Sequence, residues 1–142
     1  MERVLEFILN HPLNVFALAM MVLLLIMTEM KRGGKHWTPK QLVSLINDGN
    51  SVVIDLRNEK DFEHGHIINS VNHPYSKLNQ LADMLKSYQD KEVVVVCANG
   101  RQSTTAQLQM KKEGFTASRL NGGLIEWSVA NLPLIKGKQA KS

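Results

Sequence analysis

The chain contains a single cysteine, Cys97, and the residues around it make it a candidate nucleophile. Val93 to Val96 lead into it, and Ala98, Asn99, Gly100, Arg101, Gln102, Ser103 and Thr104 follow. A β-branched apolar run predicts a buried strand. The thiol therefore stands where a strand ends and a short glycine-containing loop opens before a helix. In an open parallel sheet, ligands bind at the carboxyl ends of the strands. Successive N–H groups from Ala98 to Ser103, with the positive end of the following helix, would surround an anion and favour thiolate over thiol. Gly100 lets the backbone curl without a Cβ clash. Arg101 adds a cation for an anionic substrate, and Ser103 is expected to cap the helix and donate to the bound anion. The bland alternative is a small buried hydrophobe, the usual state of a free cysteine. Such a residue has no need of a Gly-Arg loop and a helix start directly after it.

Other chemistries are poorly served. One cysteine forms no intrachain disulfide, and no Cys/His cluster has zinc-ligand spacing, so neither a metal nor an organic cofactor is expected. The formal net charge of +4 comes from the flanks. Lys31, Arg32, Lys35 and Lys40 follow the apolar N-terminal stretch, and Lys136, Lys138 and Lys141 close the chain, while the residues between are nearly balanced. There is no basic stripe with interleaved aromatics, which argues against nucleic acid as a partner.

From Phe7 to Thr28 the only ionisable side chain is His11, and from Val15 to Met27 every residue is apolar. About 20 residues at about 1.5 Å rise cross a hydrocarbon core of about 30 Å, so residues 1–30 are expected to form a membrane anchor with its span at about 7–28. A cleaved signal peptide fits less well: Glu2, Arg3 and Glu6 are not a basic leader, and no small-x-small pattern follows Met27. Arg3 alone precedes the span, and four cations follow it. That bias predicts a single-pass protein of the inner (cytoplasmic) membrane with its C-terminal domain in the cytoplasm. The reducing cytoplasm suits a free thiol.

The 142 residues leave room for one globular domain after the anchor. We divide the remainder into a basic juxtamembrane linker at 31–37 with a hinge at Gly33 and Gly34, a domain at 38–135 and a basic tail at 136–142. Thr38, Pro39 and Gln41 read as N-cap, first-turn proline and capping-box glutamine of a helix ended by Asp48 and Gly49. Strands are expected at Ser51–Asp55, Ser70–Asn72, Glu92–Val96 and, more weakly, Ala117–Leu120. Helical turns are expected at Asp61–Glu63, around Leu78–Leu85, at Ser103–Lys112 and at Leu124–Ala130. Alternating elements with continuously apolar strands imply an α/β fold with a mostly parallel sheet covered on both faces.

The segment from Cys97 to Ser103 resembles the active-site loop of single-domain rhodaneses, which are sulfurtransferases. Val53-Ile54-Asp55-Leu56-Arg57, Phe62, Gly65-His66-Ile67, Ser70-Val71-Asn72, Asn121-Gly122-Gly123, Trp127 and Leu132-Pro133 resemble the same family in the same order. With the anchor, the chain looks like bacterial membrane-tethered members. The resemblance implies the rhodanese-like three-layer fold, preceded here by one transmembrane helix. It also implies a Cys97 persulfide that carries sulfane sulfur from a thiosulfate-like donor to a thiophilic acceptor, with Ala98, Asn99, Gly100, Arg101, Gln102 and Ser103 as the substrate-binding loop. Asp55 and Arg57 match positions that support the site, with a strand-end carboxylate and a surface cation as the plain alternative. Many members carry arginine where this chain has Gln102, which leaves Arg101 as the only loop cation. Cysteine phosphatases place arginine where Ser103 stands, so tetrahedral phosphate is a poor fit. The remaining alternative is a membrane-anchored interaction or regulatory module with little catalysis, held beside a membrane protein partner.

Overall fold

The structure, a computed structural model, describes residues 1–32 and 34–139. The hinge position Gly33 and the tail residues Ala140–Ser142 lie outside the described residues. The chain divides into two compact units, Met1–Gly33 and Gly34–Ser142.

The first unit holds two helices, α1 (Glu2–Asn10) and α2 (Pro12–Arg32). The continuous span expected at 7–28 is broken at His11, with φ −131° and ψ 54°. Pro12 explains the break, since its ring disfavours the helical conformation at the preceding residue and starts a new helix well. Phe16, Leu18 and the large apolar side chains from Met20 to Met27 are exposed within the unit. Among the described residues no helix is long and apolar enough to cross a membrane. The uninterrupted apolar run Val15–Met27 rises only about 20 Å, against a hydrocarbon core of about 30 Å.

The second unit is built on a five-stranded sheet in the order β1-β5-β4-β2-β3. The strands are β1 (His36–Trp37), β2 (Ser51–Asp55), β3 (Val71–Asn72), β4 (Glu92–Val96) and β5 (Ser118–Leu120), all paired in parallel. The helices are α3 (Pro39–Asn47), α4 (Glu59–His64), α5 (Leu81–Leu85), α6 (Arg101–Lys112) and α7 (Gly123–Val129), with 3-10 turns at Tyr75–Gln80 and Lys86–Tyr88. β4 is central, as its four valines predict. Val93 and Val95 pack on one face with Leu81, Leu85, Ala106 and Met110. Val94 and Val96 pack on the other with Leu42, Leu120, Leu124 and Trp127. The expected α/β fold with a parallel sheet between helical layers is therefore present. At α3 the capping box forms in both directions between Thr38 and Gln41, with Pro39 in the first turn.

Three differences position the site. α6 begins at Arg101 rather than Ser103, because Gly100 takes a left-handed conformation, φ 91°, and serves as N-cap. The helical repeat around Leu78–Leu85 is one short α-helix between two 3-10 turns. β1 lies inside the stretch read as linker and pairs its His36 and Trp37 with Arg119 and Leu120. At the other edge the chain end straps β3: Ile135 and His66 exchange both backbone bonds at 2.9 Å, and the Asn72 N–H donates to Gln139 Oε1 at 3.0 Å.

Candidate active site

Cys97 follows β4 directly and is 1% exposed, packed among Val95, Ala106 and Met110. Its burial alone would fit an inert core thiol; its hydrogen bonds do not. The Gly100 N–H donates to Sγ at 3.0 Å and the Ser103 N–H at 3.4 Å. The thiol lies 3.5 Å from Ser103 Oγ, its acceptor, and that hydroxyl donates to Gly100 O at 3.0 Å. Two backbone donors from the first turn of a helix thus converge on one sulfur, an arrangement suited to holding negative charge there.

The loop distributes its groups more selectively than its sequence suggests. The Arg101 N–H goes to Asn99 Oδ1 at 3.1 Å and not toward Sγ. Because α6 starts at Arg101, Arg101 and Gln102 occupy its exposed first turn. Among the described residues neither side chain has a hydrogen-bond or ion-pair partner, so the Arg101 cation stands free at the rim. Ser103 is 0% exposed and turned to Sγ and Gly100. The expected cap by Ser103 is therefore absent: the helix starts two residues earlier and has no side-chain cap. Ala98 and Asn99 are exposed and Gly100 is buried. No guanidinium occupies the Ser103 position, which leaves the loop without the arginine closure of a phosphatase.

Asp55 ends β2 beside β4, and the next residue joins the strands through Leu56 N–H to Val96 O at 2.8 Å. Asp55 is fully buried and takes Arg57 Nε at 3.0 and 3.2 Å, Arg57 Nη2 at 2.7 Å and the Arg57 N–H at 3.0 Å. Arg57 Nη2 also donates to Gly65 O at 2.6 Å, and Asn72 Nδ2 donates to the Asp55 and Arg57 carbonyls at 3.2 and 2.9 Å. Arg57 is thus committed to tying β2, β3 and the start of the 65–70 turn together. Among the described residues neither Asp55 nor Arg57 bonds to the Cys97 loop, so both support the scaffold beside it. His66 is equally structural: its Nδ1 bonds Phe62 O at 2.8 Å and its ring stacks on Phe62 at 3.8 Å between centroids. Trp127 is core, with Nε1 donating to Pro133 O at 3.1 Å. A cleft of about 450 Å³ lies at the opposite end of the sheet, by Ser51 and Val52, and shares no residue with the loop.

The start of α7, expected from sequence as a turn and helix with no role at the cysteine, lies against the Cys97 loop. Its Leu124 N–H donates to Cys97 O at 2.9 Å and its Ile125 N–H to Ala98 O at 3.1 Å. The Asn121-Gly122-Gly123 run signals a turn, but nothing local says that the turn lies over the cysteine.

The model of the rhodanese-like domain family matches residues 38–130. The uncharacterized protein YibN of Escherichia coli (strain K12) is 34% identical over 144 residues, covering 97% of this chain and 100% of that protein. A crystal structure of a rhodanese-related protein from Thermoplasma volcanium is similar with a TM-score of 0.64 at 27% identity, over 71% of this chain and 97% of that one. The thiosulfate sulfurtransferase from Pseudomonas aeruginosa shares the fold, with a TM-score of 0.69 at 20% identity over 80% of this chain and 23% of that one.

Proposed function

The chain belongs to the rhodanese-like domain family, and on that premise we propose that it is a sulfurtransferase working through a Cys97 persulfide. The observation that carries this reading is the convergence of the Gly100 and Ser103 N–H groups on Cys97 Sγ at 3.0 and 3.4 Å. The thiolate attacks the sulfane sulfur of a thiosulfate-like donor. A Sγ–S bond forms, the donor's S–S bond breaks, and its electron pair leaves with sulfite. Arg101 at the rim attracts the dianionic donor, and the loop N–H groups hold the added sulfur's charge. A thiophilic acceptor then attacks the outer sulfur; the Sγ–S bond breaks and its electrons restore the Cys97 thiolate. The chain has no second cysteine, so the acceptor is another molecule. Incubation with thiosulfate is expected to add one sulfur atom, seen by intact mass, and cyanide to remove it as thiocyanate. Failure of the protein to load, or loading unchanged in Cys97→Ser, would sink this reading.

The same proposal places the domain at the cytoplasmic face of the inner membrane, held by residues 1–30. Its supports are the exposed apolar side chains of α2 and the cations that follow in sequence. Because α2 has an apolar run shorter than the bilayer core, α1 is expected to lie in the headgroup region and add its Val4, Phe7, Ile8 and Leu9, all exposed, to the attachment. A reporter fused after Ser142 should report cytoplasm, and alkaline washing should leave the chain with the membranes. A periplasmic signal, or release by the wash, would refute the placement.

A further inference from the structure

We propose that Gly123 is a positioning residue for the nucleophile: by having no Cβ it lets the start of α7 seat on the carbonyls of Cys97 and Ala98 and thereby aims the loop at Sγ. This rests on the sulfurtransferase reading of that loop and adds to it a part that lies in another segment of the chain.

Gly123 has φ +64°, and a Cβ placed there would lie 2.4 Å from Cys97 O and 2.8 Å from both the carbonyl carbon and the oxygen of Ala98. These are backbone atoms, which cannot swing aside as a flexible side chain would. The adjoining N–H groups of Leu124 and Ile125 lie in the first turn of α7, where an N–H has no acceptor in its own helix. They donate instead to Cys97 O at 2.9 Å and Ala98 O at 3.1 Å.

A peptide unit is planar, so fixing the Cys97 carbonyl fixes the Ala98 N–H, and fixing the Ala98 carbonyl fixes the Asn99 N–H. Only the two dihedrals of Asn99 then separate that fixed plane from the next peptide, whose Gly100 N–H is the donor at 3.0 Å from Sγ. The loop also meets the turn at its far end, where a Cβ on Gly100 would sit 3.5 Å from Gly122 N. Gly114 provides the contrast: its φ is +85°, yet a Cβ there meets nothing within 4 Å. Gly114 serves backbone conformation alone, whereas Gly123 serves conformation and a close approach to the nucleophile's own carbonyl.

A Cβ at Gly123 must retreat from 2.4 Å to the ordinary contact distance of 3.4 Å, a shift of about 1 Å in the seating of α7 on the loop. Misplacement of about 1 Å at a reacting group costs about 100-fold in rate. The test follows sulfur loading from thiosulfate by intact mass with the full chain in detergent micelles, for the parent, Gly123→Ala and Gly114→Ala. Gly123→Ala should lower the limiting rate at saturating thiosulfate about 100-fold, and Gly114→Ala should leave it within about threefold. A purely structural role would leave the limiting rate of the folded fraction at the parent value. Gly123→Asn tolerates a left-handed φ but carries the same Cβ, so it should be as slow as Gly123→Ala. Parent-like loading in folded Gly123→Ala, or rescue by Gly123→Asn, would overturn the proposal.

Amide hydrogen exchange on the parent protein supplies a readout that needs neither variant folding nor sulfur loading. The Leu124 and Ile125 amides should be protected to the level of β4, and free exchange at both would overturn the proposal. A parent that shows this protection but takes up no sulfur would refute the sulfurtransferase reading while leaving the positioning contact intact.

Discussion

Arg57→Ala would strand the Asp55 carboxylate inside the domain. Asp55 is 0% exposed, and three of the four hydrogen bonds to its carboxylate, at 2.7, 3.0 and 3.2 Å, come from the Arg57 guanidinium. The fourth, from the Arg57 N–H at 3.0 Å, survives the substitution. Removing one partner of a buried pair costs about 3–5 kcal/mol, because the other charge is left without compensation. The lost Nη2 bond to Gly65 O belongs to the same network and is not added separately. For a domain of about 100 residues, 1 kcal/mol moves the melting temperature by about 4 °C or more, so a fall of at least about 12 °C is expected. Urea unfolding followed by tryptophan fluorescence measures the free-energy cost, since both tryptophans, Trp37 and Trp127, lie in the second unit. Adding Asp55→Asn to Arg57→Ala removes the stranded charge and should recover about 1 kcal/mol or more. A cost below about 1 kcal/mol for Arg57→Ala, or a further loss on adding Asp55→Asn, would refute the assignment of this pair as the tie between β2 and the 65–70 turn.

Ser103→Ala removes the hydroxyl that bridges Sγ and Gly100 O, a contribution of about 1 kcal/mol, and is expected to slow sulfur loading about fivefold; an unchanged loading rate would remove the hydroxyl from the mechanism. Arg101→Ala should raise the thiosulfate concentration needed for half-maximal loading about tenfold at low salt and less at high salt. Gln102→Ala, at an exposed side chain without a partner, should change it less than about twofold; equal effects at both positions would contradict the role given to Arg101. Glu92 sits below its ordinary pKa of 4.5: partial burial opposes this, but bonds from Lys35 and Ser118, the Lys35 charge and Trp37 together outweigh it. Its contribution is therefore present above the unfolded value and is lost as the pH falls through the lowered native value. Lys35→Ala should reduce stability by about 0.5–1 kcal/mol near neutral pH, with the difference from the parent disappearing in acid. A difference that persists after Glu92 is protonated would show that Lys35 acts through its ammonium over the Trp37 ring, 4.5 Å from the centroid.

Cys97 at a strand end was legible because a valine run, a glycine and a helix former stand in immediate succession. The central place of β4 and the capping box at Thr38 were legible for the same local reason. What sequence hid was non-local or competed with a stronger signal. Pro12 marks the break at His11, but the apolar run across it reads as one span. β1 has two residues, too few for any period to register, and owes its existence to pairing with β5. The early start of α6 follows from the left-handed Gly100, a conformation that the sequence permits without requiring. The hold of α7 on the Cys97 carbonyl joins segments that only the folded sheet brings together.

Both outer strands of the sheet, β1 and β3, are two residues long. At β3 the Asn72 N–H is already taken by Gln139, and the neighbouring Ile135–His66 exchange blocks the adjacent approach. Unpaired sheet edges are templates for strand addition between molecules, a hazard that grows with local concentration. With so little edge on offer, copies of this domain can crowd together without their sheets joining into aggregates.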